Sequence, residues 1–329
     1  MDTQDGAELC FPHLFNTSCK KPTNPLSQVV LFHILMPPTS LLTVALNLLI
    51  IIAVCHFRQL HTPTNILLLS LAVTDFLVGF MFMPGEILRN TACWFLGQLT
   101  CSLYNYVSFI VTCVSVGNVV LISFDRYVAI CDPLHYPTRI TDRRVKLCVC
   151  LCWLCSVFYC YFIVGNDLIQ PGVHNSCYGE CILFLDFIAG VVDLALSFIV
   201  PVTVIVVLYM RVFVVAVSQA RAMRSHVTAV TLQLSVSQTP KKSELKAART
   251  LGVLVLVFLI CFSPYYCVSI LGEELLNSAS ASIVFYLFLL NSFLNPLIYA
   301  MFYPWFRKAV TLIVTLQILQ PGSCEVSML

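Results

Sequence analysis

Ionisable side chains stand inside long apolar runs of this 329-residue chain: Asp75, Glu86, Asp125 with Arg126 beside it, and Asp193. Another such run carries Asn291, Ser292, Asn295, Pro296 and Tyr299 close together. Charged and amide groups are costly at membrane depth unless they are used, so each is a functional candidate by default. The chemistry these types can perform is ion pairing and cation binding. No constellation of nucleophile, base and orienting group accompanies them, so the chain does not read as an enzyme.

The elements that must position these groups are membrane helices. Of the residues 59% are hydrophobic and only 10% charged, against about 25% charged in soluble domains. Apolar segments follow one another at 29–56, 64–91, 98–124, 145–165, 182–215, 250–272 and 280–303. Each reaches the roughly 20 residues that cross a bilayer as a helix. The expected fold is therefore an all-α membrane protein, a seven-transmembrane helix bundle with its termini on opposite sides. Residues 1–28 form an outer tail, 29–303 the bundle, and 304–329 a membrane-surface helix and inner tail. In the last of these Pro304 can begin a helix. Trp305, Phe306, Val310, Leu312 and Ile313 then give it an apolar stripe beside Arg307 and Lys308.

Of the 18 lysines and arginines, only Lys20, Lys21 and Arg89 fall in the N-terminal tail or the even-numbered connections. The positive-inside rule thus places the N-terminus outside. The net charge of +2 is a topology signal and does not point to nucleic acid. The first 28 residues lack a charged start followed by an apolar core, so no cleaved signal peptide is expected and the first span is taken to target the chain. On this topology Cys10, Cys19, Cys93, Cys101, Cys177 and Cys181 face the oxidising side. Cys148, Cys150, Cys152 and Cys155 lie within helices and read as small packing residues. Asn16-Thr17-Ser18 is a glycosylation sequon on the outer tail, which makes the chain a candidate glycoprotein.

Asn295-Pro296-Leu297-Ile298-Tyr299 resembles the motif that ends the seventh helix of rhodopsin-like (class A) G protein-coupled receptors. The wider run from Asn291 to Phe306 is similar to the fingerprint of the trace amine-associated receptors, and His61-Thr62-Pro63-Thr64-Asn65 extends the resemblance toward the N-terminus. The resemblance implies a plasma-membrane receptor in which Arg126 of Asp125-Arg126-Tyr127 is held by acids when inactive, with Glu244 offering a second carboxylate. Tyr209 and Tyr299 match the tyrosines that hold the opened form. It implies a sodium ion around Asp75, with Asn47, Ser115, Asn291, Ser292 and Asn295 at the surrounding positions; the bland reading of the same residues is a hydrogen-bonded polar knot. It implies a Cys101–Cys181 disulfide and, from the extra cysteines of this subfamily, Cys10 with Cys177 as first choice and Cys19 with Cys93 completing the set. Six cysteines alone leave fifteen pairings open.

The expected ligand pocket departs from the pattern of amine receptors. Eighteen residues before Arg126, where those receptors carry an aspartate, stands Ser108, and Leu289 replaces a bracing tyrosine. Phe262 takes the place of the usual tryptophan beneath the ligand. Asp193, eight residues before Pro201, is the substitute acid; its neighbours Val191, Val192, Leu194 and Leu196 offer it no partner. Fish members of this family include receptors with an acid in this helix. Glu86 is a second acid suited to a diamine. Phe109, Thr112, Ser197, Tyr265, Tyr266 and Phe285 complete the walls, with aromatic faces adding cation–π attraction. The reading is an olfactory-type receptor that takes an amine agonist outside and a heterotrimeric G protein, the stimulatory type acting through cyclic AMP, inside, with membrane lipid around it. A receptor of the same fold for a non-amine ligand is the alternative. A transporter or channel is disfavoured, because the membrane acids form no continuous path and no inverted repeat is visible. A retinal photoreceptor is disfavoured because the seventh span lacks a lysine.

Overall fold

The computed structural model describes residues 8–14, 16–22, 25–229, 240–271 and 278–328, with the backbone alone at 216–217, 219–229, 240–251, 270–271 and 278–279. A backbone in hydrocarbon must satisfy its own polar groups, and the apolar runs do so as helices. Among the described residues seven helices are long and apolar enough to cross a membrane: α1 Leu26–His56, α2 Pro63–Thr91, α3 Gln98–Cys131, α4 Asp142–Ile169, α5 Phe187–Val215, and α6 and α7, whose apolar stretches are Gly252–Ser269 and Ser280–Phe302. Helical backbone continues beyond these stretches, to Ala229 in α5 and back to Pro240 in α6. The expected start of the fifth span at 182 moves to Phe187, because Asp186 caps the helix there by accepting a 2.7 Å hydrogen bond from the Ala189 N–H.

α3 is the central strut, packing against α2, α4, α5 and α6, while α7 closes against α1 and α6. Close approach of α3 to α4 depends on Gly117, where a Cβ would stand 2.4 Å from Cys152 Sγ. Cys152 therefore packs as expected. Cys148, Cys150 and Cys155 do not: they are exposed on the outer face of α4, beside Leu151, Leu154 and Phe158, where a helix facing lipid has no need to bury small apolar groups in protein.

π-helical turns interrupt α1 at Val30–Leu35, α2 at Val78–Phe82 and α5 at Leu194–Ile199. Each stands just ahead of prolines (Pro37 and Pro38, Pro84, Pro201), whose missing N–H and ring displace the regular ladder. Side chains meet some carbonyls there: Ser40 Oγ donates to the Gly79 carbonyl at 2.7 Å and Tyr104 Oη to the Phe82 carbonyl at 3.1 Å. The α5 turn begins immediately after Asp193, so a proline-driven widening sits at a candidate site residue.

At one end the chain caps its own bundle. Disulfides join Cys10 to Cys93, Cys19 to Cys177 and Cys101 to Cys181. The first two correct the expected Cys10–Cys177 and Cys19–Cys93 pairs. The tail turns back on itself, with Cys10 N–H bonded to the Cys19 carbonyl at 2.8 Å, and Cys19 N–H bonded to the Tyr178 carbonyl at 3.0 Å. Cys19 is thereby laid beside 177–178 while Cys10 is directed toward the end of α2. Sequence order carries no information about that fold-back. Asn16 is exposed on this tail.

At the other end α8, Pro304–Val314, turns away after Tyr303 and buries Trp305, Phe306 and Ala309. Arg307 Nη1 caps the end of α7 through the Ala300 and Met301 carbonyls at 2.9 and 3.1 Å. The tail beyond folds back under α1, where His56 Nε2 and Ser323 Oγ lie 2.9 Å apart and the Met328 N–H donates to Gln59 Oε1 at 2.9 Å.

Candidate functional site: a roofed cavity and a polar path

A cavity of ≈ 1030 Å³ opens within the bundle at the disulfide end. Its roof is the tail around Cys19 and Lys20 together with residues 179–183, held to α3 by a 3.1 Å bond from Asn105 Nδ2 to the Ile182 carbonyl. Asp193, Ser108, Phe109, Thr112, Ser197, Tyr265, Tyr266, Phe285 and Glu86 all line it. Phe262 does not. It is 3% exposed one layer deeper, stacked at 4.3 Å on Phe258 and 4.5 Å from Phe288, and Phe288 is the ring that faces the cavity. Its assignment as a ligand contact is corrected to a support beneath the floor. Tyr265 and Tyr266 meet edge to face at 5.3 Å, and Phe198 stacks on Tyr266 at 4.5 Å, so the wall is a continuous aromatic surface.

Asp193 is 9% exposed, and it does have partners. Tyr159 Oη on α4 donates to its Oδ1 at 2.9 Å and Ser197 Oγ, one turn along α5, at 2.8 Å. The expected absence of partners is corrected, since neighbours in sequence are not neighbours across helices. Tyr159 was missed, although a phenol inside an apolar span must find an acceptor. Both donors are neutral. Among the described residues no cationic side chain pairs with Asp193 at the wall. Ser108 Oγ is committed to the Tyr104 carbonyl of its own helix at 2.7 Å.

Glu86 is engaged differently. Arg89 Nη2 meets its Oε2 at 2.8 Å, Asn90 Nδ2 donates to the same oxygen at 3.2 Å, and Tyr104 Oη donates to Oε1 at 2.8 Å. Glu86 is thus neutralised within the protein, which removes its expected part as a second acid for a diamine. The i,i+3 spacing of Glu86 and Arg89 was the available signal.

Beneath the cavity, Asp75 is fully buried and accepts a 2.8 Å bond from Asn295 Nδ2 through Oδ2. Asn47 Nδ2 ties α1 to the Ser292 carbonyl of α7 at 3.1 Å. Ser115, Asn291 and Ser292 are buried. Asp75 Oδ1, Asn291 Oδ1 and Asn47 Oδ1 are buried acceptors without a hydrogen-bond partner. Oxygens left in that condition are costly, and carboxylate and amide oxygens are the donor type that suits a hard cation. Asn118, fully buried with neither amide atom satisfied, was not anticipated.

At the far end of α3, Arg126 reaches back to its own neighbour: Nη2 and Nε lie 2.5 and 2.9 Å from Asp125 Oδ2. Asp125 also accepts from Thr64 Oγ1 at 3.0 Å and from Tyr136 Oη at 2.8 Å. Burial, with the Asp125 carboxylate beside it, raises the Tyr136 phenol above its ordinary pKa, so it remains a donor at neutral pH. Tyr209 packs on α6 at Gly252, where a Cβ would lie 2.6 Å from its hydroxyl. Tyr299 is 1% exposed with an unsatisfied hydroxyl. The Glu244 side chain lies outside the described residues. Cys19, Cys177 and Glu180 cluster closely enough to suggest a metal, but those two sulfurs are bonded to each other and cannot act as thiolates.

A seven-helix bundle with a roofed cavity at one end and an Asp-Arg-Tyr cluster at the other defines a transmembrane receptor. The description "7 transmembrane receptor (rhodopsin family)" matches residues 46–299. Relatives include trace amine-associated receptor 13c of Danio rerio, 36% identical with 98% of this chain and 97% of the relative covered. Trace amine-associated receptor 4 of Mus musculus is 34% identical over 98% and 95%, and receptor 1 of Mus musculus 35% identical over 88% and 90%. The chain belongs to the rhodopsin family of seven-transmembrane receptors and, within it, to the trace amine-associated receptors. It is accordingly a multi-pass membrane protein and a G protein-coupled receptor, whose family has small-molecule ligands and G proteins as partners and contains receptors rather than enzymes.

Proposed function

We propose that this receptor binds a small amine in the roofed cavity, with the ammonium on Asp193, and signals through a stimulatory G protein and cyclic AMP. The observation that carries the reading is Asp193 itself, a buried cavity-lining carboxyl group held, among the described residues, by two neutral donors and by no cation. An ammonium supplies the missing charge, and the surrounding aromatic faces add cation–π attraction. The names of the relatives support an amine as the ligand class. Ser108 and Leu289 favour a non-amine ligand as the second reading, which the same measurements address.

The disulfide end, with Asn16 glycosylated, faces outward at the plasma membrane of an olfactory cell, and lipid surrounds the bundle. Arg126, Asp125, Glu244, Tyr209 and Tyr299 form the switch at the inner end, where release of Arg126 from Asp125 presents it to the G protein. Asp75, Ser115, Asn291, Ser292 and Asn295 would hold a sodium ion; the orphaned oxygens of Asp75 and Asn291 are what support this. Such an ion supplies positive charge that keeps the central carboxylate ionised and the bundle closed.

The experiment is a cyclic AMP dose–response series on cells expressing the chain, with surface expression measured in parallel. Asp193→Asn abolishes the amine response, since breaking a buried pair costs about 3–5 kcal/mol, more than a hundredfold in potency. Tyr159→Phe weakens it by about two- to tenfold, the scale of one net hydrogen bond. An unchanged curve for Asp193→Asn at normal surface expression sinks the assignment.

A further inference from the structure

The wall of the cavity formed by α2 presents a guanidinium, Arg89, that is paired on one side only, and its open side selects the part of the ligand that lies farthest from the ammonium. Glu86 is 3% exposed, and both of its oxygens are already occupied by Arg89, Asn90 and Tyr104. Arg89 is the more open partner, its side chain 25% exposed, and it lines the cavity. Only Nη2 of its guanidinium is engaged; Nε and Nη1 have no partner among the described residues. Lys20, also lining the cavity from the roof, makes no ion pair among the described residues. The roof's own acid, Glu180, accepts the Ser176 N–H at 3.0 Å. Among the described residues, unused hydrogen-bonding capacity on this side consists of the Arg89 Nε and Nη1 donors, the Lys20 ammonium and the second oxygen of Glu180, so the α2 wall itself offers donors while the roof carries one charge of each sign. Asp193 supplies the opposite, an acceptor paired with no cation among the described residues. Tyr265 is an electrostatic neighbour of Asp193, Arg89 and Glu86 alike, so the two sites belong to one chamber.

We propose that the preferred agonist is a zwitterion with separated charges, an ω-amino acid whose ammonium meets Asp193 and whose carboxylate meets the open face of Arg89. The guanidinium offers a planar fork matched to a carboxylate, with Glu86 holding it in place from behind. A diamine gains less from the α2 wall, because its second ammonium meets Arg89 there, finds Glu86 already taken, and is left with Glu180 of the roof beside Lys20. This inference rests on Asp193 as the ammonium site.

The test compares straight-chain monoamines, diamines, ω-amino acids of increasing length and the methyl esters of those amino acids. Potency is read by cyclic AMP in cells, and binding by the thermal shift of the purified full-length receptor, which does not depend on coupling. One chain length of ω-amino acid is expected to exceed the matching monoamine and diamine by about tenfold or more, the scale of a charge-assisted bidentate contact, and esterification removes the gain. Arg89→Gln abolishes the preference while leaving the monoamine response within about twofold, since only the carboxylate contact is lost. If Arg89→Gln strands Glu86 and fails to reach the surface, the charge-free pair Glu86→Gln with Arg89→Gln gives the same readout. Asp193→Asn must abolish responses to monoamine and zwitterion together; if it does not, the ammonium assignment has failed. Asp193→Asn acting as stated while Arg89→Gln changes nothing overturns this inference alone. Diamines outranking ω-amino acids, esters matching acids, or a wild-type receptor blind to every ω-amino acid also overturns it.

Discussion

The two ends of the bundle are held by different kinds of contact. At the recognition end, covalent links tie the tail, the end of α2, the start of α3 and residues 177–181 into one roof over a ≈ 1030 Å³ cavity. At the Asp-Arg-Tyr end the described contacts are hydrogen bonds and ion pairs, chief among them Asp125 with Arg126, braced by Thr64 and Tyr136, with Asp132 and Arg139 paired at 3.0 Å nearby. Disulfides do not open when a ligand binds, whereas hydrogen bonds to a carboxylate exchange for other partners at a cost of about 1.5–3 kcal/mol. The difference teaches where this receptor can change state: the roof preserves the shape of the cavity, and the far end carries the reversible contact.

Arg126→Ala breaks the comparison most severely. With the guanidinium gone there is nothing to release, so signalling is lost completely while agonist binding at normal surface expression is retained, as read by ligand affinity and cyclic AMP on the same cells. Loss of binding would place Arg126 in the frame rather than the switch. A smaller effect is expected from Cys10→Ser combined with Cys93→Ser, which frees one edge of the roof. Potency falls by about tenfold, roughly 1.4 kcal/mol, because the ligand must then order the tail itself. Peptide mapping under non-reducing conditions should recover Cys10 with Cys93, and recovery of Cys10 with Cys177 would break the pairing described above. The smallest effect is Tyr136→Phe, which removes one donor from Asp125 and loosens its grip on the inactive arrangement. Agonist-independent cyclic AMP rises by about two- to tenfold, the worth of a net hydrogen bond of roughly 0.5–1.5 kcal/mol. A fall in basal signalling would show that Tyr136 stabilises the active arrangement instead.

Legibility in the sequence was uneven for physical reasons. Span positions follow from hydropathy, and the start of α5 shifted from 182 to Phe187 because Asp186 caps the helix there. Cavity residues on α3, α5, α6 and α7 were readable through the resemblance to the receptor family, whose pocket positions they occupy. Phe262 was misjudged by one layer, since the α6 face that lines the cavity also carries the ring beneath the floor. Partners drawn from other helices were not readable at all: Tyr159 on Asp193, and Thr64 and Tyr136 on Asp125.

The sequence by itself determined the class of the protein. Hydrocarbon leaves a twenty-residue apolar run one way to satisfy its backbone, and costly polar groups inside such runs stand out against it. Only the tertiary structure decided which cysteines pair and which acid remains free for a ligand. Glu86 and Asp193 are both acids inside apolar runs, and the first is paired with Arg89 and Tyr104 while the second, among the described residues, meets only the neutral hydroxyls of Tyr159 and Ser197. That distinction rests on distances between helices, to which local sequence is blind.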